Sequence, residues 1–497
     1  MAMRLEQLSS LFIASRLEGD AGTLVTGVQA DSRKVRPGDL FLCVPGLVSD
    51  GHDFAAKAAE AGAAALVVER DVPVDLPKLF VRDARYAMAA VACRFYGYPS
   101  RELKLIGVTG TNGKTTTAAI IEHILRDRGF GTGLMGTINM KIGDRWYDTE
   151  RTTQEAIDLQ MNLRRMRDAG ADYAVMEVSS HALELGRVKG CRFRTALFTN
   201  LTQDHLDFHK TMEQYRAAKG LFFSRLGNEF ADDPDAASYA VLNADDDASA
   251  YFAKQTSAQV IRYGLGDGAD VRASGVRLTA KGTQFTVTAF GESVDVKMKL
   301  VGKFNVYNAL GAISSTLVER IPLAAIANSL ERVGVVPGRM EAVEGSADFL
   351  VVVDYAHTPD GLENALSTVR EFCEGRIITV FGCGGERDRT KRPIMGRIAA
   401  RYSDYVIATS DNPRSEPPEA ILGEIEPGIA AEGIGRDRYE LIVDRREAIH
   451  KAVEMASPND VVLIAGKGHE PYQIVGGVQL HFDDRLVAQE AIRGRSK

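Results

Sequence analysis

The segment Gly110-Thr111-Asn112-Gly113-Lys114-Thr115-Thr116 has the residue types that hold a polyphosphate: glycines, a lysine and hydroxyls. Backbone N–H groups of such a loop, and of a helix that starts at its end, point at phosphate oxygens. Lys114 then neutralises the β- and γ-phosphates, and Thr115 ligates magnesium. In the general pattern G-x-x-x-x-G-K-[ST] a glycine opens the loop; here Val108 stands at that position and the preceding glycine is Gly110, so the loop is shortened. The sequence therefore predicts a nucleotide site, which by itself also fits a nucleotide-driven switch or motor.

Glu177 ends the apolar run Ala174-Val175-Met176, where an unpaired carboxylate is costly to bury. A magnesium ion at the phosphate loop accounts for its place. After Thr199-Asn200 comes Leu201-Thr202-Gln203-Asp204-His205-Leu206-Asp207-Phe208-His209, a cluster of oxygen and imidazole groups that a solvated loop also shows. Thr211-x-x-Gln214 has the form of a capping box and predicts a helix with an apolar stripe of Met212, Tyr215, Phe222 and Leu226. Lys219 lies on that stripe. Such a lysine either snorkels its ammonium to water or, if buried, has a depressed pKa and a reactive neutral amine.

A third constellation follows the apolar runs at Leu350–Val353, Ile377–Phe381, Tyr405–Ala408 and Val461–Ala465. They end in Asp354-Tyr355-Ala356-His357, Gly382-Cys383-Gly384-Gly385, Ser410-Asp411-Asn412-Pro413-Arg414 and Gly466-Lys467-Gly468-His469-Glu470. In open α/β sheets ligands bind beyond the carboxyl ends of the strands, so convergence of these endings predicts a binding site. Asn412-Pro413 taken alone reads as a turn.

These groups require strands to carry them. Buried-strand runs alternate with helical periodicity, the pattern of parallel sheets with crossovers, so the fold class is α/β in three domains. Residues 1–100 form a small α/β unit; residues 101–335 contain the phosphate loop on a parallel sheet, with antiparallel strands expected at 270–300. Residues 336–497 form a Rossmann-like unit, whose apolar strands follow Val335-Val336-Pro337-Gly338, the expected hinge.

The formal charge of −7 argues against a broad nucleic-acid-binding face, which needs clustered Lys and Arg. No run approaches the ~18 apolar residues of a membrane span, and the N-terminus lacks a signal-peptide pattern, so a cytoplasmic protein without membrane insertion is expected. Five scattered cysteines without a C-x-x-C pair suggest neither a disulfide framework nor a zinc site.

Gly110–Thr116, Glu177, Asp204-His205 and Lys219, with Gly302-x-Phe304-Asn305-x-x-Asn308, Pro337-Gly338-Arg339-Met340-Glu341 and Asp354–His357, together resemble the ATP-dependent Mur ligase family over essentially the whole chain. Members extend the peptide of the bacterial cell-wall precursor. The resemblance implies the order precursor-binding domain, central ATPase domain and amino-acid-binding domain, with ATP and Mg²⁺ as cofactors. Asp411-Asn412-Pro413-Arg414 matches the diaminopimelate-using branch, whose substrates are UDP-MurNAc-L-Ala-D-Glu and meso-diaminopimelate; lysine-adding relatives and folylpolyglutamate synthetase share the carboxylate activation. By the same resemblance Lys219 is carbamylated and holds a second Mg²⁺ with His205. Asn305 and Asn308 lie near the adenine, Arg339 on the phosphates and Asp354 on the ribose. The precursor falls to Ser32, Val48, Ser49, Asp50, Thr152, Thr153, Ser179 and Arg187. Arg414 and Arg387 suit the distal carboxylate of diaminopimelate, because a guanidinium grips a carboxylate through two parallel bonds. Gly466 and Glu470 belong to the same site, with Glu470 on the ammonium.

Overall fold

The computed structural model describes residues 2–46, 49–149, 151–228, 233, 236–279, 282–345 and 348–495. Three large sheets follow one another along the chain. The first orders its strands Arg16–Glu18, Lys78–Phe80, Ala65–Val68, Asp39–Leu42 and Gly27–Gln29, parallel except for the first. Asp39–Leu42 and Ala65–Val68 are buried throughout. Their unbroken apolar runs are what a parallel strand covered on both faces requires.

The central sheet has eleven strands. Its parallel core runs Thr132–Met135, Tyr173–Glu177, Lys104–Thr109, Phe193–Phe198, Tyr239–Asn243, Gln259–Gly264 and Val271–Thr279. Antiparallel strands close both edges: Met140–Ile142 with Arg145–Tyr147, and Gly282–Ala289 with Glu292–Met298. The helix Lys114–Asp127 buries Ile120, Ile121, Ile124 and Leu125 against the sheet and packs on the helix Lys303–Leu317. The helix opened by Thr211 spans Met212–Phe223, and Thr211 Oγ1 accepts the Gln214 N–H at its start. It ends sooner than its apolar stripe suggests: Leu226 is buried beyond the helix, in the turn that follows.

The third sheet orders Glu341–Ala342, Leu350–Asp354, Val461–Ala465, Ile377–Phe381, Tyr405–Ala408 and Tyr439–Leu441, parallel from the second strand onward. Parallel pairing puts the carboxyl ends of these strands on one edge, so the polar endings after Asp354, Phe381, Ala408 and Ala465 share that edge. A separate hairpin, Tyr472–Val475 with Val478–His481, stands beside them. Among the described residues no helix is long and apolar enough to cross a membrane.

Candidate functional site

The phosphate loop joins the strand Lys104–Thr109 to the helix Lys114–Asp127. Thr199 and Asn200, at the end of the neighbouring strand, hold it: Thr199 Oγ1 donates to Asn112 O at 2.6 Å, and Asn112 N donates to Asn200 Oδ1 at 2.8 Å. Only glycine fits at two loop positions. A Cβ on Gly110 would lie 1.8 Å from Thr199 Oγ1, and Gly113, at φ +83°, would place one 2.3 Å from Asn308 Oδ1. Lys114 Nζ folds onto the carbonyls of Gly110 at 2.9 Å and Thr111 at 2.7 Å. Burial lowers its pKa, with Glu177 and Asp204 opposing.

Lys219 reaches the same place from the helix Met212–Phe223. Its Nζ donates to Gly110 O at 2.9 Å and sits 4.5 Å from the centre of the Tyr215 ring. It is 1% exposed, and among the described residues no carboxylate bonds it. Burial, then the charge of Lys114, push its pKa well down, with Asp204 opposing. Asp204 and His205 face each other at 3.3 Å, and burial keeps the His205 ring neutral well below its usual range. His205 takes a left-handed φ of +57° and packs edge-on against His181. His209, whose Nε2 meets Ser180 Oγ at 2.8 Å, adds a third imidazole.

Glu177 is buried at its strand end, where Thr137 N and Oγ1 meet its two carboxylate oxygens at 2.8 and 3.0 Å. Thr115 and Glu177 both line a cavity of about 620 Å³. Among the described residues no three His, Cys, Asp or Glu side chains converge as a metal site on their own. The oxygen donors Thr115 and Glu177 suit a magnesium ion whose other ligands are phosphate oxygens and water. Lys219 as an amine adds no anionic ligand; a carboxylated nitrogen there would.

A cavity of about 360 Å³ opens between the phosphate loop and the third sheet. Asn112, Gly113, Thr116, Asn308, Arg339 and Asp354 line it. Asn305 does not: its Nδ2 donates to Val301 O, and its Oδ1 accepts from Asn308 Nδ2 at 2.9 Å, so it orients Asn308. Arg339 Nη2 reaches Thr115 Oγ1 at 3.2 Å, its guanidinium lies over the Tyr355 ring, and its Nε is buried without a partner among the described residues. Asp354 Oδ2 accepts the Met340 N–H at 2.7 Å, and burial raises its pKa. Asn112 Nδ2 crosses to Asp360 Oδ2 at 2.7 Å. Phe304, Tyr307 and Asp245 also line it, and no sequence motif marks Tyr307 or Asp245.

Between the first sheet and the central one lies a cavity of about 710 Å³ lined by Ser32, Ser49, Arg33, Lys34, Arg85 and Arg151 among others. The basic residues among them suit a phosphorylated ligand, and Ser32 and Ser49 are the two site residues the sequence predicts that line this cavity. Val48 falls outside the described residues. Asp50 is turned to internal work, capping His52 N and pairing with Arg70. Thr152, Thr153, Ser179 and Arg187 are gathered beside Glu177: Thr152 meets Thr137 Oγ1, Thr153 Oγ1 donates to Glu177 O, Ser179 N donates to Thr153 Oγ1, and Arg187 Nη1 donates to Thr153 O.

In the third domain, Asp411, Asn412, Pro413 and Arg414 follow the strand Tyr405–Ala408. The hairpin Tyr472–His481 clamps them. Arg414 N donates to Ile474 O at 3.0 Å, Gly476 N donates to Arg414 O at 2.7 Å, and Gln473 Nε2 donates to Asp411 O at 2.7 Å. This holds Arg414 at φ +55°, a conformation costly for a side-chain-bearing residue. Its Nη1 donates to Gly385 O at 2.7 Å, and Arg387 flanks the same turn at Gly384. Glu470 approaches Asn412 from the loop that contains Gly466, at 2.9 Å. Behind both loops the fully buried pair Arg445–Asp484 ties Ser410 O and Ala465 O together.

Three family models match the chain: the Mur ligase family catalytic domain at residues 24–96, the Mur ligase middle domain at 108–316 and the Mur ligase glutamate ligase domain at 338–468. A Bacillus cereus protein named UDP-N-acetylmuramoyl-L-alanyl-D-glutamate–2,6-diaminopimelate ligase is 51% identical over 471 residues, 95% of this chain and 94% of its own. One of the same name from Syntrophomonas wolfei is 46% identical over the full length of both. A solved structure of that name superposes with a TM-score of 0.69 at 32% identity, covering 100% of both chains. Mycobacterium tuberculosis folylpolyglutamate synthase, solved with ADP and AMPPCP, shares the fold at a TM-score of 0.62 and 18% identity over 76% of this chain and 92% of its own. On the agreement of these matches from one end to the other, the chain belongs to the Mur ligase family.

Proposed function

We propose that this chain is an ATP-dependent ligase that joins meso-2,6-diaminopimelate to the D-glutamate of UDP-MurNAc-L-Ala-D-Glu, as the Bacillus cereus and Syntrophomonas wolfei relatives are named to do. The observation that carries the reading is the cavity shared by the phosphate loop and the third sheet, where Arg339 reaches across to Thr115. Residues 1–100 take the nucleotide end of the precursor, 101–335 the ATP, and 336–497 the amino acid. The cell compartment is the cytoplasm, where ATP is available.

In the first step an oxygen of the glutamate γ-carboxylate attacks the γ-phosphorus of ATP, and the bond to ADP breaks. Lys114 turns from the carbonyls of Gly110 and Thr111 to the phosphates, and the loop N–H groups spread the developing charge. Thr115 and Glu177 would hold Mg²⁺, which would supply charge neutralisation and in-line orientation. Neutral Lys219 takes up CO₂ with loss of a proton, and the resulting carbamate would hold a second cation together with His205. In the second step one amine of diaminopimelate, in its neutral form, attacks the acyl phosphate, expels phosphate and gives up a proton to solvent, while the other amine, as an ammonium, rests on Glu470 and Asp411 with the distal carboxylate on Arg414 and Arg387. Bonds between the central and third domains, such as Asn112–Asp360 and Gln203–Thr390, keep water from the intermediate, and Val335–Gly338 is the hinge for opening.

Phosphate release from purified protein with Mg-ATP tests this. Release is expected only when precursor and meso-diaminopimelate are both present, with L-lysine a poor substitute. Equal release with lysine overturns the role of Arg414, and release without precursor replaces the ligase by a nucleotide-driven switch.

A further inference from the structure

We propose that Lys467 is a positioning residue for the incoming amino acid: a fixed internal cation that ties Glu470 to Asn412 and leaves Glu470 Oε1 and Asp411 Oδ2 as the oxygens facing the ligand's ammonium. This rests on the reading of the third-domain site as the amino-acid site. Lys467 has no exposed surface, although it stands in a loop between two glycines. Its Nζ donates to Asn412 Oδ1 at 3.1 Å and to Glu470 Oε2 at 3.2 Å, over the Tyr472 ring.

The hydrogen bonds at this corner apportion the acceptors. Asn412 Oδ1 also takes the Ile474 N–H at 3.0 Å, which fills both of its lone pairs. Asn412 Nδ2 and Lys467 Nζ both go to Glu470 Oε2. Among the described residues Glu470 Oε1 keeps only the Tyr355 hydroxyl, at 3.3 Å. Asp411 Oδ1 accepts the Asn412 N–H at 2.7 Å, while Oδ2 is buried with no partner among the described residues. Two carboxylates so near each other repel, and burial adds to the cost of keeping both charged. Burial and then Asp411 raise the pKa of Glu470, and Lys467 and Asn412 oppose them. A lysine in water would compete for the ligand's place; one sealed behind Glu470 opposes the rise in its pKa and leaves its outer oxygen open.

The test compares wild type, Lys467→Met, Glu470→Gln and the double variant for kcat and for KM toward meso-diaminopimelate and ATP. Lys467→Met is expected to raise the KM for meso-diaminopimelate by about tenfold or more, the scale of a bond to a charged group, with KM for ATP held within about twofold. Because Lys467 acts through Glu470, the double variant should match Glu470→Gln to within about threefold. A folded Lys467→Met with unchanged KM for the amino acid overturns the inference, and so does a double variant whose losses multiply. If Lys467→Met does not fold, removing both charges should restore folding; a double variant that also fails to fold overturns it. Wild-type turnover that needs no diaminopimelate sinks the reading of the site instead, a result seen before any variant is made.

Discussion

Lys219 and Lys467 are both sealed from water, at 1% and 0% exposure, yet their surroundings are opposite. Lys219 has a carbonyl that it shares with Lys114 and the face of a tyrosine, and its pKa falls. Lys467 has an amide oxygen and a carboxylate. Burial by itself therefore does not decide what a lysine does. A missing counter-ion makes one an amine ready to react, and a present one makes the other a strut.

The largest expected effect is on turnover. Lys219→Met should lower kcat by roughly 10²–10³-fold, the loss typical of one preorganised electrostatic group. ¹³C-bicarbonate should give a carbamate resonance in wild type and none in the variant; retained kcat, or no resonance in wild type, breaks the contrast. Next comes stability. Lys467→Met strands Glu470 and should cost about 1–3 kcal/mol in denaturant unfolding, whereas Lys219→Met strands no anion and should cost none of that. Equal losses in both would erase the distinction.

The phosphate loop was legible because strand, glycines and helix lie in one continuous stretch, and each strand ending in the third domain could be read the same way. Lys467 was not: three residues before Glu470 in a glycine-rich loop, it looks like a solvated charge, and only the hairpin Tyr472–His481 reveals that it is roofed over. Thr137 escaped because it follows a short edge-side strand with no charged residue to mark it, yet it holds both oxygens of Glu177. Asn305 and Asn308 read alike, one helical turn apart, but a side chain's direction within that turn decides which one faces the cavity. The Arg445–Asp484 pair joins residues far apart in the chain, a pairing no local pattern contains.

A smaller effect concerns Arg414, a cation with one side anchored on Gly385 O. Arg414→Lys loses the planar fork, and KM for meso-diaminopimelate should rise roughly tenfold while selectivity over L-lysine narrows. An unchanged ratio of kcat/KM for the two amino acids would place the distal carboxylate elsewhere. The smallest effect is on acid stability. Burial above all holds His209 at about 4, below the ordinary 6.5. Its folded pKa lies below its unfolded one, so its contribution is complete above about 6.5 and is lost as pH falls through about 4. His209→Gln should remove up to one proton from the slope of unfolding free energy between those values; an unaltered slope would show that another group titrates there.

The acyl phosphate itself is tested most directly by isotope transfer. With ¹⁸O in the glutamate γ-carboxylate of the precursor, one ¹⁸O should appear in the phosphate released for each amide formed, because the oxygen that attacks ATP leaves with the phosphorus. Phosphate without ¹⁸O, alongside amide formation, would mean that the carboxylate never attacked ATP and would contradict the account.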